Sequence, residues 1–190
     1  MLPITSGHII IDGIDISTLP PRSLRQTINV IPQDAFFIPG SLRTNLDPKQ
    51  LASDNQIKEA VQKVGMWDSI QSGGGLDHEF DAKKWSIGQK QLLALARAVL
   101  VESKILVLDE AMGGVDHETE KLMQRVIEEE FRKQTVLVVA HQLKFAGWFD
   151  RVVVIKEGKA VEEGSFGELV GGEGEFARLY RADGARGKVR

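Results

Sequence analysis

Residues 105–110 read Ile105-Leu106-Val107-Leu108-Asp109-Glu110, four apolar residues in a row followed by two acids. A continuous apolar run of this length fits a strand covered on both faces, and such strands belong to parallel sheets flanked by helices. Open α/β sheets bind ligands beyond the carboxyl ends of their strands, which is where Asp109 and Glu110 stand. One carboxylate there can hold Mg²⁺ while its neighbour orients or polarises an attacking water. The same six residues also read as a strand that ends in a solvated acidic turn.

Outward from this strand, two more apolar runs end in polar residues. Thr27-Ile28-Asn29-Val30-Ile31 is closed by Pro32 and followed by Gln33, and the run 135–140 is followed by His141. In a parallel sheet such tips share one crevice, so Gln33, Asp109, Glu110 and His141 are candidates to converge on one ligand. Taken singly, each has a plainer role, and a lone histidine is more often packed or capped than catalytic. A helix is predicted from Asp116 to Phe131 with Asp116 as its N-cap. The acids of its first turn complement the helix dipole.

The flanks divide the chain further. Gly7 to Ile16 places β-branched runs on either side of Asp12-Gly13, a hairpin pattern that Leu19-Pro20-Pro21 stops. From Ser41 to Val101 the pattern is helical, with Ser53 to Gln56 as a capping box and Gly73-Gly74-Gly75 as a break. Trp85-Ser86-Ile87-Gly88-Gln89-Lys90-Gln91 opens a second amphipathic helix, predicted over 88–101. A helix N-terminus with a glycine is an anion site in waiting, and equally an ordinary serine cap with a polar first turn. Lys83, Lys84 and Lys90 make that end basic or merely solvated. Strands at 151–155 and 159–162, a short helix around 176–180 and a frayed basic tail at 183–190 follow.

Composition sets the outer limits. The 190 residues carry a net charge of −3, with 42% hydrophobic and 27% charged residues, which excludes disorder throughout. That balance excludes nucleic-acid binding driven by bulk charge, and no nucleic-acid partner is expected. The absence of cysteine excludes disulfide partners, thiolate zinc sites and a cysteine nucleophile. No apolar run approaches the length of a membrane span.

The motifs, taken together and in order, resemble the nucleotide-binding domain of ABC transporters, most closely the second such domain of the C subfamily, the multidrug-resistance-associated type. Val30-Ile31-Pro32-Gln33-Asp34 is similar to the Q-loop, and residues 40–48 to the segment that follows it in that subfamily. Ser86-Ile87-Gly88-Gln89 resembles the signature motif, residues 105–110 the Walker B strand, Asp116 the end of the D-loop and His141 the switch histidine. The resemblance runs in register over residues 1–182. It implies an α/β fold, a P-loop-NTPase-like ABC ATPase domain, with a helical subdomain inserted at about 40–101. The expected cofactors are ATP and Mg²⁺. Glu110 would be the catalytic base, Asp109 would bind Mg²⁺ through water, and Gln33 would contact Mg²⁺ and the attacking water. His141 would hold the γ-phosphate. Ser86, Gly88 and Gln89, with Asp116, would serve the nucleotide of another ABC nucleotide-binding domain in a head-to-tail dimer. The helical subdomain would meet the transmembrane domains of a transporter at the cytosolic face of a membrane. A chain existing alone would be soluble and cytoplasmic.

This sequence also departs from the family. A phosphate loop reads G-x-x-x-x-G-K-[ST], and the two Gly-Lys pairs here, Gly158-Lys159 and Gly187-Lys188, complete no such pattern. In the family that loop lies just upstream of the equivalent of Met1, so the chain is expected to be N-terminally truncated. The helix after the loop packs between two sheets in the family, and its loss would uncover the apolar faces of strands 105–108 and 135–140. Trp85 stands where the family has Leu, Met112-Gly113-Gly114 replaces hydroxyl-bearing residues, and Gln142 replaces an Arg. Three functions follow: the C-terminal portion of an ATP-hydrolysing export domain, a non-hydrolysing module that lends its signature motif, or a truncated product without an independent role. Chromosome-maintenance ABC ATPases share the motifs but insert a long coiled coil between Q-loop and signature. The short spacing from Gln33 to Ser86, without heptads, excludes them.

Overall fold

The computed structural model describes residues 7–186 of the chain, which form two compact units, 7–139 and 140–186 within the described range. The first unit opens with a hairpin of β1 (Ile10–Ile11) and β2 (Ile14–Asp15). Its turn places Asp12 at φ 51° and Gly13 at φ 78°, the left-handed pair that an Asp-Gly turn favours. A short 3₁₀ turn leads into α1 (Pro21–Thr27), which the sequence reading missed. The prolines that stop the hairpin also start this helix, because Pro at the first helical position forfeits an N–H that has no intrahelical acceptor anyway.

β3 (Ile28–Ile31) follows, then the helical stretch of α2 (Leu42–Leu46), α3 (Asp54–Lys63), α4 (Trp67–Ser72) and α5 (Ile87–Val99). Ser41 caps α2, and Ser53 with Gln56 closes a reciprocal capping box on α3. The chain then returns to β4 (Ile105–Asp109), crosses through α6 (His117–Glu130) and ends the unit with β5 (Thr135–Val139). β3, β4 and β5 form one parallel sheet in that spatial order.

The sheet corrects one expectation. Leu106 and Leu108 are fully buried, but Ile105 and Val107 are only half-buried, so β4 is covered on one face rather than two. In register with Val107 lie Val30 and Leu137, which with Val139 are more than 50% exposed. The uncovered apolar face anticipated for strands 105–108 and 135–140 is thus present, on one side. The opposite side is closed by α5, where Asn29 Nδ2 donates to Ala98 O at 3.2 Å. Leu92, Leu93, Leu95 and Ala96 of α5 fill the core beneath it.

In the second unit, β6 (Val152–Lys156) and β7 (Lys159–Gly164) form a hairpin about Glu157-Gly158, again a left-handed pair. α7 (Phe166–Gly171) and α8 (Glu175–Arg186) complete it. Phe176, 1% exposed, meets the rings of Phe166 and Tyr180 at centroid distances of 6.0 and 6.1 Å. α8 continues to Arg186, past the point where the sequence reading placed a frayed tail. Residues 187–190 of that tail lie outside the described residues.

Candidate functional site

β3 and β4 are parallel neighbours with Ile31 paired to Leu108, so Pro32-Gln33 and Asp109-Glu110 leave the sheet at the same edge. Asp109, itself paired with Val139, is exposed at the tip of a strand rooted by Leu106 and Leu108. Glu110 sits at φ 50°, a left-handed conformation that costs a non-glycine residue about 1 kcal/mol or more. Two backbone bonds hold it there. Its N–H donates to Val139 O at 2.9 Å, and its carbonyl accepts from Gly113 N at 2.9 Å. The chain therefore turns sharply at the strand tip, with Glu110 half-buried in the turn. Gln33 is exposed, and its backbone carbonyl accepts a bond from Gln91 Nε2. His141 lies in the second unit, exposed, just before a 3₁₀ turn at Leu143–Trp148.

The start of α5 is a capping box. Ser86 Oγ accepts from Gln89 N at 3.1 Å, and Gln89 Oε1 accepts from Ser86 N at 2.9 Å. Both bonds use acceptors. They leave the Ser86 O–H and the Gln89 Nε2–H groups as donors, beside first-turn N–H groups that have no intrahelical acceptor. The serine-cap reading and the anion reading are therefore compatible. Gly88 has a packing reason to be glycine, since a Cβ there would stand 3.2 Å from both Cγ2 and Oγ1 of Thr119. Beside Trp85 and Gln89 lies an open depression of about 400 Å³, lined also by Leu42, His78, Phe80 and Lys84. Trp85 stacks on Phe80 at 5.7 Å.

Asp116 spends its carboxylate on its own helix. Oδ1 accepts from Glu118 N at 3.1 Å and Thr119 N at 3.0 Å, and Oδ2 accepts from Thr119 Oγ1 at 2.7 Å. These bonds, the backbone N–H of Thr119 foremost, hold its pKa below the ordinary aspartate value. Thr119, Gln91 and Arg97 are the neighbours of the site that the sequence reading missed. Only Gln91 carried a signal, as a polar residue in the apolar stripe of α5 that runs through Leu95.

Three comparisons bear on this arrangement. The family model described as ABC transporter matches residues 1–113. The chain belongs to the ABC transporter family. Among ABC transporter relatives, it is 44% identical over 181 residues to ABC multidrug transporter B of Aspergillus fumigatus, covering 95% of this chain. It is also 44% identical over 187 residues to human ATP-binding cassette sub-family C member 2, covering 97% of this chain. The chain spans only 12% of the length of either relative. Among solved structures, a bacterial Atm1-family ABC exporter with ATP bound superposes with a TM-score of 0.88 at 28% identity. That likeness covers 94% of this chain and 32% of the exporter chain. The fold is that of an ABC ATPase, and among the described residues no helix is long and apolar enough to cross a membrane.

Proposed function

We propose that this chain is the C-terminal portion of the nucleotide-binding domain of an ABC exporter, working at the cytosolic face of a membrane with transmembrane domains and a second nucleotide-binding domain. The observation that carries this reading is the shared carboxyl edge of β3 and β4, from which Gln33, Asp109 and Glu110 all emerge. Bound MgATP would supply the transferable γ-phosphoryl group and the charge of the metal. Asp109, through water, and Gln33 would hold that Mg²⁺. Glu110 Oε accepts a hydrogen bond from the attacking water and polarises it, and the Gln33 amide orients that water. By the family resemblance, His141 would donate to the γ-phosphate.

Ser86, Gly88 and Gln89 act on the opposite domain of a head-to-tail dimer, with Asp116 shaping the turn beside them. The hydroxyl of exposed Ser86, the amide of half-buried Gln89 and the first-turn N–H groups are donors that suit a γ-phosphate. A second reading has its own support: no G-x-x-x-x-G-K-[ST] occurs in these residues, so the chain alone acts as a module that lends its signature motif. In either case the isolated chain neither hydrolyses ATP nor binds MgATP tightly. The test mixes the full chain, with Trp67 and Trp148 replaced by Phe, with an intact ABC nucleotide-binding domain. Trp85 emission should shift only with MgATP, and Ser86→Ala with Gly88→Asp should abolish the shift. Docking that ignores both nucleotide and substitutions refutes the proposal, as does micromolar MgATP binding by the chain alone in calorimetry.

A further inference from the structure

α5 holds the loop that carries Gln33 as well as opening with Ser86, Gly88 and Gln89. Gln91 is 2% exposed, and its Nε2 donates to Pro32 O at 3.3 Å and to Gln33 O. Two turns on, Arg97 Nη1 donates to Phe36 O at 3.1 Å and Nε donates to Asn45 O at 2.7 Å. Asn45 in turn brackets Ile38, accepting its N–H at 2.8 Å and donating to its carbonyl at 2.9 Å. Residues 32–38 thus hang from α5 and α2 at five backbone atoms, whereas β3, immediately before them, is tied to β4 by the sheet ladder and to α5 by the Asn29–Ala98 side-chain bond. The boundary between the two attachments falls between Ile31 and Pro32.

Gln91 is an expensive residue for its position. Its Oε1 is buried and has no hydrogen-bond partner, and a buried acceptor left unpaired costs free energy. Methionine, unbranched and of similar length, would fill the same space without that cost. What glutamine adds is direction: two N–H donors aimed at the carbonyls that flank the Gln33 loop.

We propose that Gln91 is a positioning residue that makes the Gln33 loop move with the helix bearing Ser86, Gly88 and Gln89. Contact with nucleotide at one motif is thereby transmitted to the other. The inference rests on the preceding reading that both motifs meet nucleotide, and its test separates the two.

Phe36 is 69% exposed and Phe37 follows it, so chymotrypsin reports release of this loop. In the full chain, Gln91→Met should speed cleavage at Phe36 and Phe37 about tenfold, with the thermal midpoint and cleavage elsewhere unchanged. Gln91→Glu, which sets a carboxylate against the two carbonyls, should be cleaved faster still. If it fails to fold, the Met variant decides alone. Cleavage of Gln91→Met at the parent rate overturns the proposal, because glutamine would then only fill space. Equal acceleration at every site overturns it too, because the role would be general stability.

The second arm adds an intact ABC nucleotide-binding domain and MgATP. In the parent, docking read by Trp85 should change cleavage at Phe36 and Phe37; in Gln91→Met, docking should persist without that change. An undiminished change in Gln91→Met overturns the proposed transmission. Absence of docking in the parent refutes the functional reading, and overturns the transmission with it, while the first arm still decides whether Gln91 holds the loop.

Discussion

Replacing Gly88 with alanine should destabilise the first unit, and removing Thr119's side chain should reverse the sign of that effect. Alanine is the better helix former, worth up to about 1 kcal/mol over glycine in a helix interior and about half that near an end. Against this, the new Cβ would stand 3.2 Å from Thr119 Cγ2 and Oγ1 and 3.6 Å from Asp116 Oδ2. Thr119 cannot retreat freely, because its N–H and hydroxyl are bonded to Asp116 at 3.0 and 2.7 Å. Forcing an extra methyl into such a contact typically costs about 1–3 kcal/mol. The net expectation for Gly88→Ala is a loss of about 1 kcal/mol. In a Thr119→Ala background both crowded atoms are gone, and Gly88→Ala should stabilise by about 0.5 kcal/mol. The coupling across the cycle is therefore about 1.5 kcal/mol. Urea unfolding followed by Trp85 emission, with Trp67 and Trp148 replaced by Phe, reads the first unit alone. If Gly88→Ala has the same effect with and without Thr119, the contact is not what excludes a side chain at this position.

Three further outcomes follow from the same geometry. Ser86→Ala removes the bond from Gln89 N and should lower stability by about 1 kcal/mol in the same unfolding assay, most of it recovered by Ser86→Asp. Because the folded-state pKa of Asp116 is depressed, its contribution is present above the unfolded-state value and lost as pH falls through the folded one. Asp116→Asn should therefore flatten the acid limb of a stability–pH profile and lower the neutral-to-alkaline plateau without tilting it. Replacing Leu137 and Val139, both more than half exposed, with Thr should reduce dye binding to exposed apolar surface and aggregation by light scattering, with little change in thermal midpoint.

What could be read from the chain was whatever its local chemistry decides. The Asp12-Gly13 hairpin, the capping box at Ser53 and the serine cap at Ser86 are set by residues within three or four positions of one another, and they were legible, although the reciprocal bond from Gln89 was not foreseen. The Ser165 capping box with Glu168 was equally local, but Gly167 and Gly171 thin the apolar rhythm of α7 and hid it. Pro20-Pro21 was read as a stop alone, although a proline that ends one element is well placed to begin a helix. The apolar run 105–108 identified a strand but not which of its faces is covered. That depends on what lies above the sheet, which no window of β4 contains.

The candidate site divides along the same line. Gln33, Asp109, Glu110 and Ser86 stood out as candidates because each is a polar residue at the end of an apolar element, where solvent or a ligand can reach it. The residues that hold them did not, because their partners are backbone atoms far away in the chain. Gln91 bonds a carbonyl 58 positions earlier, and Arg97 one 61 positions earlier. Nothing near either residue in sequence specifies those bonds. Gln91 nonetheless left a trace, as an uncharged polar side chain in the stripe that buries Gly88 and Leu95. A polar group in such a stripe must find acceptors or leave the core, and α5 stays packed because the Gln33 loop supplies them. The same bonds that satisfy the helix therefore fix the loop, so a substitution chosen to improve the core at position 91 should be read first in the freedom of residues 32–38.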